Sequence, residues 1–268
     1  MNVLFIHGWA CGWQDWIGVV SLLSKTVRPC IARLPGSPEG PALGNARSIH
    51  DVADYVAEQA QEQGFESFAV VGHSMGARIA LDLAARWPNL TTRLLLVDGS
   101  NVPEDPADAG QRLLHQLTTL ERRRWAAEVV AAMMVDGLNQ GQRSHLIERI
   151  VRYEDEVLLA FYQAMADWDR KHFIGSLDRI SCPVKVFQAT SLDENEVRRS
   201  VVCHPHSRWL DTIRRRLHSA DISLVPHCGH FVMLELPGLI ADWLESIAAA
   251  DQSAGCEPKE LNNDQRSG

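Results

Sequence analysis

The residues best suited to chemistry lie in Phe68 to Gly76, where four apolar positions run straight into Gly72-His73-Ser74-Met75-Gly76. A serine between two glycines at this spacing fits a strained turn from strand to helix, because a side chain at either glycine would collide with the neighbouring strand or helix. Ser74 is then left standing clear as a nucleophile. The context this turn needs is present: an apolar run precedes it, and Ile79, Leu81, Leu83 and Ala84 supply a buried helical face after it. A nucleophile that attacks a carbonyl also needs N–H donors aimed at the developing oxyanion. Met75 N–H, on the residue after the serine, is one candidate. Trp9 N–H is the other, in the His7-Gly8-Trp9 segment that follows the short apolar strand Val3 to Ile6.

Alternating elements must position these groups. Trp16 to Leu23 reads as a helix and Val27 to Leu34 as a strand, followed by the turn-rich Pro35 to Pro41. Ser48 caps a helix whose apolar positions Ile49, Val52, Ala53, Val56 and Ala57 recur at helical spacing, and Gly64 ends it. The serine turn and its helix come next, and then the apolar strand Arg93 to Asp98. Strands alternating with helices imply a mostly parallel sheet with helices on both faces. From Pro103 to about Leu177 the alternation stops, and four helical faces follow one another: Leu113 to Leu120, Trp125 to Met134, Leu146 to Val151, and Leu158 to Met165. This reads as an inserted helical cap, residues 103–177, between the two parts of an α/β core, residues 1–102 and 178–250. Its Trp125, Met133, Phe161 and Met165 are the candidate substrate-binding residues, within a wider apolar set that includes Met134, Tyr162 and Trp168. The core resumes with the strand Val184 to Gln188, a helix around Trp209 to Leu217, the strand Ile222 to Val225, the loop His227-Cys228-Gly229-His230, and a closing helix interrupted near Pro237. Residues 251–268 are polar and expected to be a disordered tail.

Composition excludes several classes. A net charge of −8 disfavours nucleic acid, whose phosphates it would repel. No apolar run approaches the ~18 residues of a membrane span, and Met1-Asn2 leads directly into strand residues without the features of a secretory signal, so the expected compartment is the cytoplasm. The six cysteines form no C-x-x-C pair and read as reduced thiols. His204-Pro205-His206 has no acidic or histidine cluster beside it and reads as a loop, so no metal site is expected.

Taken together, His7-Gly8-Trp9, Gly72 to Gly76, the inserted helices and the late segment Gly229-His230-Phe231 followed by Leu234-Glu235-Leu236-Pro237 resemble the α/β-hydrolase fold superfamily, in particular its small capped esterase-like members. The resemblance covers about residues 1 to 250. It implies that His230 is the catalytic histidine, and that the usual N-terminal strand hairpin is missing, which shortens the sheet at one edge. Chain order requires the acid between Ser74 and His230. The common family position is a loop after the strand Val184 to Gln188 and falls near Asp193, displaced by one residue in Gln188-Ala189-Thr190-Ser191-Leu192-Asp193 and lacking the usual glycine. Some branches, including the haloalkane dehalogenases and the cofactor-free quinolone dioxygenases, take the acid from the strand end that Asp98 occupies here. Spacing favours Asp98, with Asp193 the alternative. Asp167 and Asp169 read as solvated or structural.

The resemblance implies a cofactor-independent serine hydrolase that cleaves a carboxylic ester, or a related acyl bond, of a small and largely apolar molecule through an acyl-Ser74 intermediate. Serine at the elbow disfavours dehalogenases and epoxide hydrolases of this fold, which use aspartate there. A cofactor-free dioxygenase or C–C bond hydrolase shares the Ser/His pair and stands as the alternative. A ligand receptor on a hydrolase scaffold is the non-enzymatic one.

Overall fold

The chain is described from a computed structural model, over residues 1–101, 119–134, 137–193, 197–202 and 207–255. The helical face at Leu113, Leu114 and Leu117, the side chain of Leu120, the His204-Pro205-His206 segment, Cys203 and Cys256 lie outside the described residues.

Six strands, β1 (Asn2–Ile6), β2 (Arg28–Ile31), β3 (Phe68–His73), β4 (Thr91–Val97), β5 (Val184–Gln188) and β8 (Asp221–Leu224), form one sheet in the order β2-β1-β3-β4-β5-β8. Every neighbouring pair is parallel. The central strands carry apolar runs because helices cover both faces, and Val3 to Ile6, Val70, Val71 and Leu94 to Val97 are all 0 % exposed. In a parallel sheet all carboxyl ends share one edge. That edge carries the residues after β1, β3, β4 and β8, which include Trp9, Ser74, Asp98 and His230.

The helices are α1 (Ile17–Val20), α2 (Ile49–Glu62), α3 (Met75–Arg86), α4 (Thr119–Met133), α5 (Gln140–Arg152), α6 (Asp155–Lys171), α7 (Phe173–Leu177), α8 (Arg208–Arg216), α9 (Val232–Glu235) and α10 (Pro237–Gly255). Ser48 caps α2 through a reciprocal pair in which Ser48 Oγ accepts from Asp51 N at 3.1 Å and Asp51 Oδ2 accepts from Ser48 N at 2.9 Å. Helices α4 to α7 all fall between β4 and β5, with no strand of the sheet among them.

Three expectations need correction. The helix expected over Trp16 to Leu23 is a 3₁₀ turn, Trp13–Trp16, followed by the short α1. Leu22 is 54 % exposed, so no buried face sustains the helix past Val20. The segment after β5, expected as a loop, is instead a hairpin of β6 (Thr190–Leu192) and β7 (Arg198–Ser200), too short to show an alternating pattern. Finally, residues 251–255 belong to α10 rather than to a tail, and Asp251 pairs with Arg93 at 2.6 Å. Among the described residues no helix is long and apolar enough to cross a membrane.

Candidate active site

Ser74 sits between the end of β3 and the start of α3 with φ 53° and ψ −111°, a conformation rarely held by a residue with a side chain. The flanking glycines make the turn possible. A Cβ on Gly72 would lie 2.2 Å from the Gly76 carbonyl oxygen, and one on Gly76 would lie 2.3 Å from that of Ile6. Met75 is the first residue of α3, so its N–H has no acceptor within the helix. Gly8 packs directly on the turn, because a Cβ there would meet His73 Nδ1 at 2.9 Å and Ser74 Cβ at 3.1 Å. Trp9 follows, held by Nε1 donating to the Leu158 carbonyl of α6 at 2.9 Å and by edge contacts with Trp125 and Tyr162 at 5.7 and 6.2 Å.

Of the two candidate acids, the fold brings Asp98 to the histidine. His230 Nδ1 donates to Asp98 Oδ2 at 2.6 Å, with both side chains at most 1 % exposed. Asp98 leaves β4 with φ 44°, a left-handed turn that Asp tolerates better than most residues. Its Oδ1 accepts from Gln188 Nε2 at 3.0 Å and from the Ala189 and Thr190 N–H groups at 2.7 Å each, while Oδ2 also accepts from Thr190 Oγ1 at 2.5 Å. Burial pushes this carboxyl up from its ordinary value, and the Arg198 charge and the Thr190 and Ala189 donors oppose that shift. Five donors suit the ionised, acceptor-only form. Asp193 instead closes the β6–β7 hairpin, where it accepts from Val197 N at 2.9 Å and from Arg199 Nε at 3.0 Å.

His230 is held in a single tautomer. Its Nδ1–H is committed to Asp98, which fixes the tautomer and leaves the Nε2 lone pair to accept a proton. Burial holds its pKa well below the ordinary histidine value, and the Arg198 and Arg78 charges add to the effect, so the imidazole is neutral at neutral pH. His73 steadies the same loop: its Nε2 donates to the His230 carbonyl at 2.9 Å and the two rings lie 4.6 Å apart. Gly229 N donates to Glu235 Oε2 at 2.8 Å, which ties the loop to α9.

A cavity of about 400 Å³ opens on Ser74. Trp125, Met133 and Met165 line it, as does Tyr162, whereas Phe161 does not. Phe161 is 2 % exposed and packs in the core, since on α6 it is rotated by one residue from the edge that carries Tyr162 and Met165. Met134 and Trp168 also belong to the core. The remaining lining includes Arg78, Ser100, Asn101 and Arg198, which the sequence reading missed. Arg78 carried a signal, standing one helical turn after Ser74 on α3; Arg198 carried none. Asp169 is structural: its carboxylate takes Arg78 Nε and Nη2 at 2.8 Å each. Asp167 is half-exposed and pairs with Arg170 at 2.5 Å. Among the described residues no cluster of three or more His, Cys, Asp or Glu forms a metal site.

The chain is 32% identical over 96 residues to the dihydrolipoyllysine-residue acetyltransferase component of an acetoin cleaving system from Cupriavidus necator, a match that spans 36% of this chain and only 26% of that relative. It is 24% identical over 245 residues to a pimeloyl-[acyl-carrier protein] methyl ester esterase from Nitrosomonas europaea, covering 88% of this chain and 91% of the relative. Its fold superposes on a thermophilic esterase from Thermogutta terrifontis with a TM-score of 0.73 at 18% identity, over 93% of this chain and 90% of the other. The model of the alpha/beta hydrolase family matches residues 3–243, and the chain belongs to that family.

Proposed function

We propose that the chain is a serine hydrolase that cleaves a carboxylic ester through an acyl-Ser74 intermediate. The observation that carries this reading is the buried 2.6 Å hydrogen bond from His230 Nδ1 to Asp98, at the sheet edge where Ser74 is held at positive φ on the cavity wall. In this scheme His230 Nε2 takes the Ser74 hydroxyl proton as Oγ attacks the ester carbonyl, and Asp98 stabilises the imidazolium that forms. The Trp9 and Met75 N–H groups receive the oxyanion. Collapse of the tetrahedral species returns the proton to the leaving alkoxide, and a water activated by His230 then releases the acid. Helices α4 to α6 act as a cap that supplies the aromatic and methionine wall.

Ser74→Ala should reduce hydrolysis of p-nitrophenyl acyl esters by about 10³-fold or more, with an unchanged far-UV circular dichroism spectrum. Undiminished turnover by that variant would refute the assignment.

A further inference from the structure

The cavity lining divides by chemistry. Trp9, Trp125, Met133, Tyr162 and Met165 form an apolar part; Arg78, Ser100, Asn101 and Arg198 form a polar one beside Ser74. Two arginines beside a nucleophile are not required for ester cleavage, and their state of pairing differs. Arg78 is matched by Asp169 in a bidentate pair whose side chains are 2 % and 6 % exposed. Arg198 has no such match among the described residues. Its side chain is 7 % exposed, and its closest carboxylate is Asp98 Oδ2 at 3.6 Å, an oxygen already taken by Thr190 Oγ1 and His230 Nδ1. Its own hydrogen bonds are Nη1 to Thr190 Oγ1 at 2.7 Å and a long contact from Nη2 to Ser100 Oγ at 3.4 Å. A guanidinium carries five N–H donors, and a buried one is costly unless paired.

We propose that Arg198, with Arg78 beside it, forms a subsite for a carboxylate on the substrate, so that the ester cleaved at Ser74 belongs to a molecule with an apolar body and one anionic end. The inference rests on the hydrolase reading and names its substrate class. Asp98 Oδ2 lies 3.6 Å from Arg198 but is already committed to His230 Nδ1 and Thr190 Oγ1, so among the described residues no carboxylate is dedicated to this guanidinium on the cavity wall. A planar carboxylate suits the guanidinium fork, which it can meet with two parallel N–H donors. The expectation of a largely apolar substrate is thereby narrowed to an amphipathic one.

The test compares monomethyl suberate with its neutral counterpart dimethyl suberate, and carboxymethyl octanoate with neutral hydroxyethyl octanoate. One charged ester should exceed its neutral counterpart in kcat/KM by about tenfold or more. Which pair shows the preference tells whether the carboxylate resides on the acyl or the alcohol side. The preference should collapse toward unity in Arg198→Gln and be partly kept in Arg198→Lys. A ratio is used because a change at Arg198 also perturbs Asp98 and can slow every substrate alike. Equal kcat/KM for charged and neutral esters in the unaltered protein overturns the proposal without any variant, as does a preference that survives Arg198→Gln. If no ester is cleaved above the Ser74→Ala background, the hydrolase reading has failed, and calorimetric titration of Ser74→Ala protein decides the subsite: monomethyl suberate must bind more tightly than dimethyl suberate, and equal binding overturns it.

Discussion

At Asp98 the backbone makes a left-handed turn out of β4 and the carboxylate collects five hydrogen bonds, three of them from the N–H and hydroxyl groups of Ala189 and Thr190. Those donors come from the segment that the sequence offered as the alternative source of the acid. Chain order and spacing left Asp98 and Asp193 both possible, because each follows a strand that ends at the same sheet edge. The difference lies in the hairpin after β5, which turns Asp193 toward Val197 and Arg199 and presents Ala189 and Thr190 to Asp98. Asp98→Asn should lower kcat by about 10³- to 10⁴-fold, since an amide cannot balance an imidazolium and favours the wrong tautomer. Asp193→Asn should stay within about threefold of the unaltered protein, because its carboxylate meets Val197 and Arg199 and not His230. Steady-state kinetics on one chromogenic ester decides between them; a reversed order of the two effects would transfer the acid's role to Asp193.

The loop between β1 and α1 carries Trp9, and three buried contacts strap it to the inserted helices. Arg149 of α5 reaches Asp15 with Nη1 and Nη2 at 2.6 and 2.7 Å, Tyr153 Oη donates to the Cys11 carbonyl at 2.5 Å, and Trp9 Nε1 donates to the Leu158 carbonyl. Asp15 also accepts from Gly12 N at 3.0 Å, so the ion pair fixes the backbone between Trp9 and the 3₁₀ turn. Ala10, at φ 55°, takes up the bend. Both members of the Arg149–Asp15 pair are at most 3 % exposed. Arg149→Met would leave Asp15 buried and unpaired, and should cost about 3–5 kcal/mol of unfolding free energy in urea titration. A loss under about 1 kcal/mol would mean that water reaches Asp15 and that the strap is weak. None of these partners is adjacent in sequence, and a helical pattern reports which face is apolar and not what a charged residue will meet.

Across the whole molecule, burial of histidines sets the response to acid. His7 and His73 are each about 1 % exposed or less, and burial lowers their pKa values from 6.5 to about 4 and about 3. Above 6.5 both the folded and unfolded forms are neutral, so neither histidine contributes to pH dependence. As pH falls below that value the unfolded chain binds protons that the folded chain refuses, so stability is lost by up to about 1.4 kcal/mol per pH unit per histidine until the folded values are reached. Urea midpoints should therefore fall steadily from about pH 6.5 to about pH 4.5, and His73→Gln should remove part of the slope. A flat profile over that range would mean that both rings are protonated in the folded state. The sequence by itself determined the parallel sheet, the helices between β4 and β5, and the placement of Ser74, because apolar runs, helical periodicity and a glycine pair are local features that act through the backbone nearby. His230 was legible through its motif rather than through physics. Only the tertiary structure decided that Asp98 meets His230, that Phe161 packs in the core while Tyr162 faces the cavity, and that Arg78 and Arg198 stand beside the serine. Those outcomes depend on which strands neighbour one another and on single-residue rotations of α6, which bring together groups up to 132 positions apart that no local pattern encodes.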